Sequence, residues 1–375
     1  IQKTLQKYIN KNLEEFIDSP KQTRYRNNVI FSIGYNKEGN IDIGPLLTSK
    51  IVLNSTENLT VSQTMIDICE IVKEYITKNP ELGITDYDDY SGFWRHIHLR
   101  QNLKNEFSIL FRFSNFDEYQ ETWNIYKVKF IEFVNMKVRE LGYSFIQLYY
   151  QKCLGKTEPT KEHPYYLEFS KKELIIELLG KKFIISPGTF FQVNTYTAKI
   201  LFQKVYDLFN YNINNNKKTL LLDICCGTGN YGILLNENFD KVIGIDSNEN
   251  NIEIAKRNIK INNISNISFI SEKIQDVIDQ VLKDHIEYDI YIIVNPPRRG
   301  LYSDVLKSIN QYIDIINQLV YVSCNSITLK RDLDELNLEN KKIEKIIPLN
   351  QFPNTSHYEV IVNIKYLIHS KGHLN

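Results

Sequence analysis

Apolar and polar positions follow two different styles along this chain, and the style changes near residue 186. Beyond that point short apolar runs (TLLLDICC, KVIGID, ISFI, DIYIIV, QLVYVSC, EVIVNIKYL) alternate with helical segments such as NYGILLNENF and NENNIEIAKRNIKIN. A strand that is apolar at nearly every position is covered on both faces, so the pattern predicts a doubly wound, mainly parallel α/β sheet of Rossmann-like type. Before residue 186 the reading is mixed. Leu5, Tyr8, Ile9, Leu13 and Phe16 fall at helical spacing, and longer helices are predicted over about residues 62–77 and 119–141. NNVIFSIGY, FWRHIHLR, FSILFRF, YSFIQLYYQ and ELIIELLGKKFIIS read as strands. We expect an α+β domain over residues 1–185 and an α/β domain over residues 186–375.

Composition narrows the class. With 375 residues, 42% of them apolar, the chain can bury more than one core. Forty-five basic residues balance forty-five acidic ones, so net charge points to no partner, and a nucleic-acid surface would need local clustering. No apolar run reaches the length of a membrane span, and no signal-peptide pattern opens the sequence. The first residue is Ile1, so an upstream segment is expected to be missing. The five cysteines (Cys69, Cys153, Cys225, Cys226, Cys324) are odd in number and show no CxxC spacing. A reducing, intracellular setting is expected, cytoplasm or nucleus with an organelle left open, and neither a disulfide framework nor a metal site.

Three local patterns carry chemistry. Gly227, Gly229 and Gly232 form G-x-G-x-x-G after the first strand of the second region, and Asp246 closes the next strand. Backbone can approach a ligand closely at such a loop, and the carboxylate can accept from ribose hydroxyls. At this point a nicotinamide- or flavin-dependent oxidoreductase fits as well as any other nucleoside-cofactor enzyme. NPPRRGL ends a later strand, where two prolines hold Asn295 in a rigid extended turn. That combination points instead to an S-adenosylmethionine-dependent methyltransferase. Finally, LVYVSCN stops an apolar strand at Cys324, on the edge where sheets of this class bind ligands, although a lone cysteine usually packs as a small hydrophobe.

FFQVN, DICCGTGNYG, NPPRRGL, YVSCN with a following RDL, and FPNTSHYE occur in this order. Together they resemble the RNA uracil-5-methyltransferase family, which makes 5-methyluridine in tRNA and rRNA. The resemblance runs strongly over residues 183–367, and more loosely through YRNNVIFSIG and GFWRHIHLR. It is most similar to the eukaryotic tRNA-modifying branch. The resemblance implies S-adenosylmethionine as cofactor, Cys324 as the nucleophile that adds to uracil C6, and Glu359 as the base that removes the C5 proton. It also assigns Gln192, Cys225, Asn230, Asp246 and Asn295 to the cofactor site, with Asp246 on the ribose. It implies tRNA, at its T arm, as partner, and no membrane, metal, iron–sulfur cluster or protein partner. Methylation of rRNA, or a tRNA-binding folding chaperone with weak catalysis, are the alternatives.

Such a thiol is expected to have its pKa lowered by nearby donors, with Asn325, Arg298 and Arg331 as candidates. The family usually has Asp where this chain has Asn295, so any role that needs a negative charge is lost there. A target base inside folded RNA must be swung out, and Arg24, Arg26, Trp94, Arg95, His96 and Arg100 offer stacking and phosphate contacts. His357 is expected to be structural.

Overall fold

The computed structural model describes residues 3–9, 12–48, 51–153, 155, 163–209, 217–339 and 341–366. The chain forms two compact units. The N-terminal unit takes residues 21–176 and 184–195; the C-terminal unit takes the chain from Tyr196 onward together with the segments up to Pro20 and from Glu177 to Phe183. The single division expected at residue 185/186 is thus replaced by several crossings. One reason lies at the start. Only α1 (Gln6–Ile9) realises the helical spacing of the opening residues. Residues 12–17 run extended instead, with bridges from Leu13 to Ile346 and from Ile17 to Leu349. The N–H groups of Glu14 and Ile17 donate to the carbonyls of Ile346 and Pro348, both at 2.9 Å. A short isolated helix is marginal, whereas an uncovered sheet edge offers ready backbone partners.

In the N-terminal unit β1 (Asn28–Tyr35), β2 (Ile41–Gly44), β3 (Trp94–Gln101), β4 (Glu106–Ser114), β5 (Ser144–Cys153) and β6 (Tyr166–Ser170) make one sheet in the order β2-β1-β3-β4-β5-β6. All neighbours are antiparallel except β4 and β5. A parallel pair needs a long crossover. Here it is α3 (Phe116–Glu140), which packs beside α2 (Gln63–Lys78) on one face of the sheet. Ser62 caps α2, its hydroxyl accepting from Met65 N–H at 3.3 Å. The core between them is aromatic: Phe93, Trp94, Phe111, Phe113, Trp123 and Phe130 are all fully buried.

A two-stranded ribbon, β7 (Ile175–Leu178) with β8 (Lys181–Ile184), follows, and then α4 (Thr195–Phe209). The second sheet is built from β9 (Thr219–Ile224), β10 (Lys241–Ile245), β11 (Ile267–Ile270), β12 (Asp289–Val294), β13 (Ile316–Ser323), β14 (Lys341–Leu349) and β15 (Glu359–Tyr366). Its order is β11-β10-β9-β12-β13-β15-β14. The first five are parallel, and β15 runs antiparallel to both its neighbours. This is the mainly parallel, Rossmann-like arrangement that the alternating apolar runs predict. The expected last strand reached residue 367, which lies outside the described residues.

Both sheet faces are apolar, as continuous hydrophobic runs require. Leu220, Leu222, Ile224, Ile290, Ile292 and Val294 share one core with α7 (Ile274–Lys283), α8 (Ser303–Gln311) and α9 (Ser326–Glu335). Leu221 and Asp223 point the other way, the side of α5 (Asn230–Leu235). Helix α6 (Glu249–Ile261) links β10 to β11. No described helix is long and apolar enough to cross a membrane.

Candidate active site

Strand register assembles the site. Ile224 pairs with Ile245 on one side and Val294 on the other, so the next residues, Cys225, Asp246 and Asn295, stand side by side at the carboxyl ends of β9, β10 and β12. On β13 Ser323 pairs with Val360 of antiparallel β15, which brings Cys324 opposite Glu359. Opposite residues of an antiparallel pair lie about 5 Å apart. The order β10-β9-β12-β13-β15 therefore lays Asp246, Cys225, Asn295, Cys324 and Glu359 in a row along one edge. Three strand spacings separate Asp246 from Cys324, about 14 Å.

At the Asp246 end the site is made of a carboxylate and a glycine loop. Asp246 Oδ2 accepts from Gly227 N–H (3.0 Å), and Oδ1 accepts from Asn248 N–H (2.8 Å) and Asn251 Nδ2 (3.3 Å). A carboxylate has about four acceptor positions, and three are used here, so about one remains for a ligand hydroxyl. The glycine loop closes beside it. Gly227 and Gly229 take positive φ (+55° and +80°), and Cys225 shares that conformation at +59°. A Cβ on Gly232 would lie 3.3 Å from Asp223 Oδ2, which accepts from Gly232 N–H at 2.8 Å. Asn258 Nδ2 anchors the loop through the Thr228 carbonyl (3.0 Å). Asn230 is buried and accepts from the Thr228 hydroxyl at 3.0 Å. Burial pushes the Cys225 thiol up to about 12, with Asp246 and Asp223 adding to the effect. It is a neutral wall of the loop.

Two residues here were not legible as functional. Asp223 is fully buried in β9, its Oδ1 has no partner, and burial, with Asp246 adding, raises it to about 7. Asn251 Oδ1 is likewise buried and unpartnered. Orphaned acceptors beside a carboxylate with one acceptor position left fit a ligand that carries hydroxyls and positive charge. An acid inside the apolar run TLLLDI was the available signal.

The Cys324 end is different. Cys324 sits between β13 and the N-cap of α9, half-buried. The expected lowering of its pKa does not occur: burial raises it, Glu359 raises it further, and the Arg298 guanidinium beside the sulfur offsets only part. Asn325 and Arg331 serve elsewhere. Asn325 caps α9 through Ile327 N–H (3.0 Å), and Arg331 pairs with Asp332. Glu359 is buried, with Oε2 unpartnered, and burial pushes its pKa up to about 8. Tyr358 Oη donates to Ser326 Oγ at 2.8 Å, tying the residue before Glu359 to the helix that follows Cys324. Burial raises the Tyr231 phenol, which has no partner, and the nearby Glu359 adds to the effect. Among the described residues no His, Cys, Asp and Glu cluster could hold a metal.

Gln192 belongs to the N-terminal unit, where it is buried and its carbonyl accepts from Asn27 Nδ2 at 3.1 Å. The expected RNA-contact cluster largely dissolves. Trp94 lies in the aromatic core. Arg95 is buried and donates to the Gly155 carbonyl (2.8 Å). Arg100 is buried too, donating to the carbonyls of Ser186 and Thr189 (2.5 and 2.8 Å). Arg24 reaches the Asn58 carbonyl at 2.7 Å. Arg26 and His96 are half-buried, and His357 is exposed.

Comparison with known proteins shows the family. Residues 166–366 match the family described as tRNA (uracil-5-)-methyltransferase. The human protein named tRNA (uracil-5-)-methyltransferase homolog B is 28% identical over 93% of this chain and 72% of its own. A putative RNA methyltransferase of Acanthamoeba polyphaga mimivirus is 39% identical, over 49% of this chain and 48% of its own. A solved structure, the Pyrococcus abyssi tRNA (uracil-54, C5)-methyltransferase with S-adenosyl-L-homocysteine, superposes with a TM-score of 0.72. It is 26% identical and covers 97% of this chain and 81% of its own. The chain belongs to the tRNA (uracil-5-)-methyltransferase family and is an S-adenosylmethionine-dependent RNA methyltransferase.

Proposed function

We propose that the protein methylates C5 of a uridine in tRNA, the T-loop uridine, with Cys324 as nucleophile and Glu359 as proton acceptor. The observation that carries this reading is the register of β13 and β15, which sets a thiol opposite a buried carboxyl with an unpartnered oxygen. Asp246, Asn230, Cys225 and Asn295 would hold the cofactor, with Asp223 and Asn251 offering acceptors beneath it. Bound there, S-adenosylmethionine supplies the electrophilic methyl group that C5 accepts.

The chain's own residues do the rest. The Cys324 thiolate forms a bond to uracil C6, and the C5–C6 π electrons move onto the C4 carbonyl. The enolate makes C5 nucleophilic. Once C5 carries the methyl group, the Glu359 carboxylate takes the C5 proton, the double bond re-forms and the C6–sulfur bond breaks. Arg298 steadies the thiolate on entry and exit. Both groups sit above neutral pH in the free chain, because burial disfavours both charges. Activity should accordingly rise with pH through about 8.

Incubation with 5-fluorouridine-substituted tRNA and S-adenosylmethionine tests the assignment. Fluorine cannot leave as a proton does, so a covalent protein–RNA adduct should accumulate. Cys324→Ala should give none, and undiminished methylation by that variant would overturn the mechanism. A chaperone acting by binding alone would retain the tRNA without crosslinking.

A further inference from the structure

The loop after β12 is fastened to the helix that follows Cys324. Asn325 Nδ2 and Thr328 Oγ1 both donate to the Arg298 carbonyl, at 3.0 and 3.1 Å. Arg331 Nη2 donates to the carbonyls of Arg299 (2.9 Å) and Leu301 (2.8 Å). Beneath them Asp332 is fully buried. Its Oδ2 accepts from Leu301 N–H (2.8 Å) and from the Tyr321 hydroxyl (2.6 Å). Its Oδ1 accepts from Arg331 Nε (2.9 Å) and Nη2 (2.5 Å). Gly300 lies against this pair at φ +75°, and a Cβ there would come within 2.6 Å of Asp332 Oδ2 and 2.7 Å of Arg331 Nη2. Only glycine fits.

A buried carboxylate is costly to desolvate, and apolar packing often stabilises as well or better. This one fixes a path: every polar backbone group it and Arg331 engage lies between Arg299 and Leu301, immediately after the arginine whose guanidinium stands at the Cys324 sulfur. We propose that Asp332 is a positioning residue for the reaction, holding the Asn295–Leu301 loop through Arg331 and Leu301 so that Arg298 stays at the thiol. With the clamp released, burial and Glu359 act on Cys324 without the Arg298 charge to offset them, and less of it is thiolate at a given pH.

The proposal rests on Cys324 being the nucleophile, but its test needs neither RNA nor turnover. The rate of Cys324 alkylation by iodoacetamide is followed across pH on the full chain, with the modified peptide quantified by mass spectrometry. Arg298→Ala and Asp332→Asn should each slow alkylation at pH 8 by about tenfold, equivalent to one pKa unit. The double variant should be no slower than either single, because both remove the same contact. Additive slowing would overturn the proposal, since it would mean that Asp332 acts on Cys324 other than through Arg298. Should Asp332→Asn fail to fold, Arg331→Gln replaces it in the same cycle; that side chain is 46% exposed, so its loss is tolerable. Wild-type alkylation by Arg331→Gln would equally sink the idea. If the cycle is non-additive yet no chain methylates RNA, the uracil-5 reading falls and the clamp stands.

Discussion

Glu359 shows what one residue contributes beyond its motif. Its carboxyl is buried and raised to about 8 by burial alone, against an unfolded value near 4.3. Folding therefore takes up a proton between those values. Below about pH 4 both states are protonated and the residue is neutral to stability; as pH climbs toward 8 the folded state loses ground. Glu359→Gln, which never ionises, should gain little at pH 5 and a few kcal/mol at pH 8.5. Thermal melts at the two pH values check this, and an equal gain at both would mean the carboxyl is not desolvated. The same variant should still attach to 5-fluorouridine-free tRNA but release it slowly. The place of this residue at the end of a strand, like that of Cys324, was legible because it lies in an ordered motif. Its burial was not, nor was that of Trp94, Arg95 and Arg100. A residue type advertises what it can bind, while only the fold decides whether solvent, a ligand or a main-chain carbonyl takes it up.

At the scale of elements, sheet order does what sequence order cannot. Residues 225, 246, 295, 324 and 359 become neighbours because the strands lie as β10-β9-β12-β13-β15. Apolar runs revealed nearly all of these strands, since burial on both faces leaves little room for polar residues. The exception, β14, reads KKIEKIIPL and lies last in the order of the sheet, where one face of the strand can carry lysines. Asp223 breaks the apolar rule in the middle of β9, and its value of about 7 gives it a testable signature. It is ionised only above that pH, and a cationic ligand favours the ionised form. Affinity for S-adenosylmethionine should therefore rise several-fold from pH 6 to 8, with a flat profile in Asp223→Asn. Calorimetric titration decides it: a slope that survives in the variant would place the titrating group elsewhere.

For the whole molecule, the C-terminal unit is not made from the C-terminal half alone. Leu5 is fully buried in its core, packed among strands and helices that begin more than 200 positions later. Residues 12–17 add a stretch of backbone pairing to β14. Lys7 and Tyr8 both reach Asp334 on α9, at 3.0 and 2.5 Å. Hydrophobic periodicity hinted at an amphipathic opening but not at its destination, because a partner so distant in sequence leaves no local trace. A chain that starts at Lys21 should keep the strands of the site yet lose roughly 3–6 kcal/mol, the burial of one leucine plus several backbone hydrogen bonds. It should also expose the edge of β14, and so self-associate as concentration rises. Melting temperature and light scattering together test this. If the shortened chain melts and scatters like the parent, the first twenty residues are an appendage and the C-terminal sheet closes without them.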